Sequence, residues 1–135
     1  MIKYRAGYKY QLHADYSIQT DIIPVSEVNE AFIKLSLSGE LTVLQGYAWD
    51  GVSGIAIDTR NSMRASLVHD ALYQLMRFEQ VSAAQYKDQA DRLFEKICVD
   101  DGVTSFVARV YYLVLKYLGE PGTKPTAKRE VREAP

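Results

Sequence analysis

The residues of this chain best suited to chemistry lie in the run Leu67–Tyr73, where His69, one of only two histidines, is followed directly by Asp70. The run is otherwise apolar at helical spacing, and an unpaired charge in such a setting is costly. Residues four apart share one face of a helix, so His69 and Tyr73 are neighbours, while Asp70 projects about 100° away. This set fits a general base, a pair of metal ligands or a hydrogen-bonded core cluster.

Two further acids extend this set. Asp91 lies beside the apolar stripe of the following predicted helix, which makes it the expected partner of His69. Asp50 lies in a loop before the first helix, and Asp50, His69, Asp70 and Asp91 together supply enough hard ligands for a divalent cation, calcium or zinc. A histidine held by a carboxylate is also the usual arrangement of a general base. The structural alternative is a buried histidine that local carboxylates satisfy.

The loop that contains Asp50 is rich in glycine. Gly46, Gly51 and Gly54 permit backbone conformations that other residues avoid, so a shaped loop is predicted rather than a strand or helix. These three glycines are the candidate cofactor-binding residues, either as an anion cradle or through carbonyl oxygens that bind a metal. The alternative is a sharp connection between sheet and helix, with Trp49 packed over the core. The loop has neither a phosphate-loop ending nor a GxGxxG pattern.

Hydrophobic periodicity predicts the elements that position these residues. The predicted strands cover residues 2–12, 15–23, 31–37 and 41–45, with a tight turn at Ser38-Gly39-Glu40. The predicted helices run from Thr59 or Asn61 to about Phe78, from a Ser82 cap to about Asp100, and from Thr104 or Ser105 to Gly119. The helix that carries His69 is the most apolar, so we expect it at the centre. The predicted class is α+β, a small N-terminal antiparallel sheet followed by about three packed α-helices.

The length of 135 residues and the 47% hydrophobic content suit one domain. We predict a single globular domain over residues 1–119 and a polar C-terminal tail over residues 120–135. The tail is rich in Pro, Lys, Arg and Glu and cannot bury enough surface to fold alone. It is therefore a candidate for self-association or for contact with a partner chain.

Several classes of protein are disfavoured by composition. A net charge of -1 gives no field for nucleic acid, so no nucleic-acid partner is expected. The single cysteine, Cys98, excludes an internal disulfide framework and is expected to be a small buried hydrophobe. No apolar run is long enough for a transmembrane segment, and the first residues have no apolar signal core. We therefore expect neither a membrane span nor a secretory signal.

Several spaced motifs follow one another along the chain. They are Gly46-Tyr47 with Asp50 and Ser53, then Arg64-Ala65-x-x-Val68-His69-Asp70-x-Leu72-Tyr73, then Ala90-Asp91 with Phe94, and the tyrosine-rich helix Tyr111–Gly119. Over roughly residues 30–119 the chain resembles the domain-of-unknown-function family numbered 1353. The resemblance implies a phage or prophage origin, with the host cytoplasm or the virion as the location and phage structural proteins as candidate partners. It supplies no activity.

A second and more local resemblance does imply chemistry. His69-Asp70-x-x-Tyr73, followed by a helix with Asp91, is similar to the secreted phospholipases of the A-two class. The resemblance implies that His69 is the base for water, that Asp70 binds calcium, and that Asp91 with Tyr73 orients the histidine. The glycine loop with Asp50 would complete the cation shell. Those enzymes rely on many disulfides, whereas this chain has one cysteine.

Two hypotheses follow from these patterns. The first is a phage-derived, metal-assisted hydrolase of an ester, phospholipid or cell-wall bond, with His69, Asp91 and Tyr73 as catalytic residues. It predicts that Asp91→Asn slows turnover far more than it harms folding. The second is a structural or assembly protein of the phage tail or capsid, in which the same polar cluster fixes the fold.

Overall fold

In the computed structural model of the protein, residues 4–5, 10–49 and 60–125 are described. Their contacts group into two compact units, one formed by the described residues up to Trp49 and the other by residues 60–125. The first unit holds the described strands and the second holds the helices. This confirms the predicted α+β class, an antiparallel sheet region followed by three helices. The division into a domain over residues 1–119 and a tail over 120–135 stays a prediction.

The strands of the first unit are short and antiparallel. Those that the structure describes are β1 (Tyr4–Arg5), β2 (Tyr10–Leu12), β3 (Tyr16–Gln19), β4 (Val28–Asn29), β5 (Ile33–Leu35), β6 (Glu40–Val43) and β7 (Ala48–Trp49). They pair in one sheet with the order β1-β2-β7 and in another with the order β3-β6-β5-β4. Ile33, Leu35, Leu41 and Val43 are buried at every second position of β5 and β6, as their period of two predicts.

The continuous strand predicted over residues 2–12 is wrong. The structure has two strands there, β1 and β2, and Tyr4 pairs with Leu12 in antiparallel register. The chain therefore reverses direction between the two strands. Alternation of apolar and polar residues continues on both sides of such a reversal, so the pattern alone cannot distinguish one long strand from a hairpin.

Gly39 and Gly46 have positive φ values, +91° and +100°. Gly39 lies in the connection between β5 and β6, which confirms the predicted turn. A Cβ on Gly46 would lie 3.0 Å from the ring of Phe32, and the Gly46 N–H donates to the backbone oxygen of Leu12 at 2.8 Å. Residues 48–49, predicted as part of a loop, instead pair with β2 as β7. A strand of this length is too short for periodicity to reveal.

The second unit consists of helices. They are α1 (Met63–Arg77), α2 (Ala83–Asp100) and α3 (Ser105–Leu118), with 3-10 helices at Arg60–Ser62 and Glu120–Thr123. Asn61 lies inside the first 3-10 helix and does not cap α1, contrary to prediction, while Thr59 lies outside the described residues. The Ser82 cap of α2 is confirmed, because its Oγ accepts from the Gln85 N–H at 3.2 Å. Thr104 caps α3 in the same way, through the Val107 N–H.

Helix α1 is almost completely buried, as its apolar sequence predicts. All of its residues except Arg64 are buried. The described start of the predicted tail packs on it, since Arg77 Nη1 donates to the Gly122 backbone oxygen at 2.9 Å and Thr123 is buried. Residues 126–135 lie outside the described residues, so self-association through them stays a prediction. Among the helices that the structure describes, none is long and apolar enough to cross a membrane.

Candidate functional site

The candidate site lies between α1 and α2 of the second unit. His69 and Tyr73 are one turn apart on α1, and their ring centroids are 3.9 Å apart. Asp91 projects from α2, with its side chain fully buried, and His69 is only 2% exposed. The α1–α2 interface thus brings the three predicted catalytic residues together, because the spacing on each helix places them on the buried faces.

The Asp91 carboxylate is the centre of this cluster. His69 Nε2 lies 2.8 Å from Asp91 Oδ1, and the Tyr73 hydroxyl donates to the same oxygen at 2.6 Å. Lys87 Nζ donates to the other oxygen, Oδ2, at 2.8 Å. The three donors satisfy both oxygens of a carboxylate that is shielded from water. A buried charge is tolerated only with such partners.

Sequence reasoning missed Lys87. Its ammonium also donates to the backbone oxygens of Leu115 at 3.0 Å and Lys116 at 3.4 Å, in the last turn of α3. Lysine at a helix C-terminus satisfies carbonyl groups that have no partner within the helix. Lys87 therefore connects α3 to the buried acid. The available signal was its position four residues before Asp91 on one helix face.

The protonation states of the cluster follow from these contacts. Burial alone raises the pKa of Asp91, but the hydrogen bonds from His69, Lys87 and Tyr73, together with the charge interaction with His69, outweigh burial and hold that pKa below its usual range. At neutral pH Asp91 is a carboxylate, which only accepts hydrogen bonds. His69 therefore carries a proton on Nε2, and a neutral His69 presents the lone pair of Nδ1.

The pKa of Tyr73 is raised, first by burial and then by the charge of Asp91 and the hydrogen bond to it. The phenol thus stays neutral in the fold over the whole ordinary pH range and acts as a donor. Phe94 on α2 closes the other side of the histidine, with its ring centroid 5.4 Å from that of His69 in an edge-to-face arrangement. Tyr73 and Phe94 together restrict rotation of the imidazole.

Alkaline pH gives a direct test of the buried phenol. The unfolded chain releases the Tyr73 proton near pH 10, whereas the folded chain keeps it, so Tyr73 contributes stability that is present below about pH 10 and declines above it. In Tyr73→Phe we expect the free energy of unfolding to fall less steeply above about pH 10, by up to about 1.4 kcal/mol per pH unit. Urea denaturation of both proteins between neutral and alkaline pH measures this slope. If the free energy of unfolding fell with the same slope above about pH 10 in both proteins, Tyr73 would not be the group that keeps its proton in the fold.

Gly119, which follows α3, lies so close to the Tyr73 hydroxyl that there is no room for a side chain at this position. A Cβ at this position would lie 2.5 Å from the Leu115 oxygen and 2.8 Å from the Tyr73 hydroxyl. We expect Gly119→Ala to lower the free energy of unfolding by about 1–3 kcal/mol, because backbone or hydroxyl must shift. In the Tyr73→Phe background the loss should be smaller, since the hydroxyl is gone. Equal losses in both backgrounds would show that Tyr73 does not limit this contact.

The other predicted site residues are placed as follows. Asp70 is buried on α1 next to His69. Gly46 lies in the turn before β7 in the first unit, while Asp50, Gly51 and Gly54 lie outside the described residues. Trp49 is buried in β7 and stacks on Tyr47 at 6.2 Å, the packing role that was the alternative for it.

Among the described residues, no group of three or more His, Cys, Asp or Glu side chains is placed to hold a metal ion. His69 and Asp91 bond to each other, and an ammonium occupies the second oxygen of Asp91. Asp70 is buried on α1, and Asp50 lies outside the described residues. The calcium or zinc site therefore stays a prediction.

A cavity of about 390 Å³ lies beside the cluster, where α2 begins and α3 ends. Lys87, Asp88 and Lys116 are among the residues that line it, whereas His69, Tyr73 and Asp91 are not. The cavity therefore approaches the cluster from its Lys87 side.

Comparison with known proteins identifies no relative, because no family model, no curated protein and no solved structure matches the chain. Both resemblances consequently stay predictions.

Proposed function

We propose that this protein is a hydrolase in which His69 activates water for attack on an ester-type bond. The observation that carries the proposal is the pairing of His69 Nε2 with Asp91 Oδ1 at 2.8 Å, with the Tyr73 hydroxyl on the same oxygen at 2.6 Å. This is the arrangement of a general base that a buried carboxylate orients. The bond cleaved lies in a carboxylic ester, a phospholipid or the cell wall.

The chemistry of the proposed step uses the chain's own residues. Nδ1 of His69 takes a proton from water while the water oxygen attacks the substrate carbonyl carbon. The bond to the leaving group then breaks, and the imidazolium returns the proton to that group. Asp91 supports the step because its negative charge lies 2.8 Å from the ring that becomes positive.

Lys87 sets the charge balance of the proposed site. In the state with His69 neutral, the charges of the Lys87 ammonium and the Asp91 carboxylate cancel, and the buried cluster carries no net charge. Proton transfer to His69 adds one positive charge, which the adjacent Asp91 carboxylate partly offsets. No step of the proposal needs a cation. A cation at Asp70 would add Lewis-acid activation of the carbonyl, as the predicted metal assistance implies.

A second candidate function is a phage virion or assembly protein in which the cluster is structural. Its supporting observations are the full burial of Asp91, the 2% exposure of His69 and the position of the described cavity on the Lys87 side. A satisfied polar network of this kind can fix how two helices pack. The two functions are not exclusive, because a virion component of phage or prophage origin can carry a hydrolase.

A substrate screen tests the hydrolase proposal. The wild-type protein is incubated with carboxylic esters of graded chain length, with phospholipid in mixed micelles and with peptidoglycan, each with and without added calcium or zinc. We expect release of product from one of these classes. Product formation that is the same in the wild type and in His69→Ala would assign the activity to a contaminant. No product from any class would overturn the proposal and leave the structural function.

A further inference from the structure

Helix α3 has exposed apolar side chains on the side opposite its buried residues. Phe106, Val110, Leu113 and Tyr117 are 79%, 41%, 41% and 72% exposed. Their spacing of four, three and four residues places them in one stripe along the helix, with Val107 and Leu118 at its edge. We call these six side chains the outer face of α3.

The opposite side of α3 is already used. Ala108, Tyr112 and Leu115 are its buried residues, and they belong to the core of the helical unit. A helix at the surface of a soluble domain normally carries polar residues opposite its buried stripe. Helix α3 is apolar on both sides, which is the pattern of a helix covered on both sides.

The exposed apolar area of the outer face is comparable to that of a protein–protein interface. With about 200 Å² for a large apolar side chain, the exposed fractions leave roughly 600 Å² of apolar surface in one band. The largest apolar patch on a typical monomer covers about 300–600 Å², so the area of the outer face is at the upper end of that range. A standard interface takes about 800 Å² from each partner, including its polar rim. The outer face with a rim therefore matches one half of a standard interface.

The charges beside the outer face favour a neutral partner. Helix α3 has no acidic residue, and its basic residues are Arg109 and Lys116. Arg109 Nε already bonds to Glu95 Oε2 at 2.9 Å, and Lys116 Nζ lies 5.6 Å from the ring centroid of Tyr117. An anionic membrane or an acidic peptide would be attracted by several unengaged cations, which this flank does not offer. An uncharged stripe, by contrast, is complementary to itself.

We infer that the outer face of α3 binds a second copy of this chain across a twofold axis. In a twofold interface the same patch contributes from both sides, so an apolar stripe meets an apolar stripe. The four-three-four spacing is the one that two packed helices use to interlock side chains. None of these six side chains belongs to the His69 cluster, so the inference does not depend on the proposed function.

Sedimentation velocity of the full chain at a series of concentrations tests this inference. We expect the wild type to sediment at twice the monomer mass of 15.3 kDa, with a dissociation constant of about 10 μM or tighter. Phe106→Lys with Tyr117→Lys should weaken the dimer at least about 100-fold, because the four lysines of the two copies would repel one another and lose water in the interface. These two side chains are the most exposed of the stripe, so the monomer fold should survive, which circular dichroism checks.

The matched control carries the same two charges elsewhere. Val25 and Leu37 are exposed apolar residues of the first unit, at 102% and 58%. Val25→Lys with Leu37→Lys should sediment like the wild type. A wild type that is monomeric at every concentration, or a dimer that survives the Phe106 and Tyr117 changes, overturns the inference. A monomer that instead cosediments with anionic phospholipid vesicles would assign the face to a membrane surface.

Discussion

Asp91→Ala is expected to lower the free energy of unfolding by about 3–5 kcal/mol, the usual loss when one partner of a buried ion pair is removed. Truncation leaves the Lys87 ammonium, the His69 Nε2–H and the Tyr73 hydroxyl without their common acceptor. Lys87 keeps its bonds to the end of α3, which moderates the loss. Guanidinium denaturation monitored by circular dichroism measures the change, and Asp91→Asn is the less destabilising variant if the alanine protein is too unstable.

The matched control is Asp88→Ala, one turn earlier on α2. Asp88 also accepts two hydrogen bonds, from Tyr112 and Arg92, but its side chain is 53% exposed. Water can replace these partners, so we expect a much smaller loss than at Asp91. Equal losses at both positions would mean that burial of the Asp91 cluster has little effect on stability.

Acid pH separates the charge of Asp91 from its packing. The pKa of Asp91 in the fold is below its unfolded value of about 3.9, so its charge contributes to stability in full above that value and is lost as the pH falls through the lowered pKa. The difference in stability between wild type and Asp91→Ala should therefore shrink at the acid end. A difference that stays constant with pH would point to lost packing alone.

The geometry also changes what is expected of Asp91→Asn. The hydrolase hypothesis predicts that this variant slows turnover far more than it harms folding. The structure adds Lys87, whose ammonium lies 2.8 Å from Oδ2. Asparagine would leave this ammonium without a counter-charge and bring an NH₂ group or an uncharged oxygen against it. We now expect a clear loss of stability, although smaller than in Asp91→Ala.

The positions of the helices along the chain were predictable because each helix carries several independent signals. Helix α2, for example, shows an apolar stripe, a Ser82 cap and Gly102, whose φ of +108° fits a helix end. The strands were less predictable. Alternation predicts β1 and β2 as one strand because it does not record a reversal, and β4 and β7 are each two residues long. Strand β7 is defined by its pairing with the distant strand β2, which local sequence does not encode.

Part of the site was predictable because it depends on patterns within single helices. The spacing of His69 and Tyr73 is a property of one helix, and the position of Asp91 at the margin of a buried stripe marked it as a partner. Lys87 was missed because a lysine normally lies in solvent, and only the end of α3 gives it further acceptors. The contact of Gly119 with the Tyr73 hydroxyl depends on how α3 meets α1, which no local pattern contains.

His69→Gln is expected to lower the rate of hydrolysis by about 10²–10⁴-fold with any substrate that the wild type cleaves, the usual contribution of a general base. Glutamine has an amide that can donate to Asp91 Oδ1 in place of the Nε2–H of histidine. It has no group that takes a proton from water near neutral pH. The variant therefore removes the base while it keeps a donor for the buried carboxylate, and initial rates at saturating substrate measure the loss.

The other histidine supplies the control for this experiment. His13 is exposed in the first unit, and His13→Gln should hydrolyse the substrate at the wild-type rate. If His69→Gln stays folded, by its circular dichroism spectrum and its denaturation midpoint, and still turns over at the wild-type rate, His69 is not the base. The histidine, Tyr73 and Asp91 would then act as a packing cluster between α1 and α2. A folded but inactive His69→Gln, beside an active His13→Gln, would assign the base to His69, because the two variants make the same chemical change at a buried and at an exposed position.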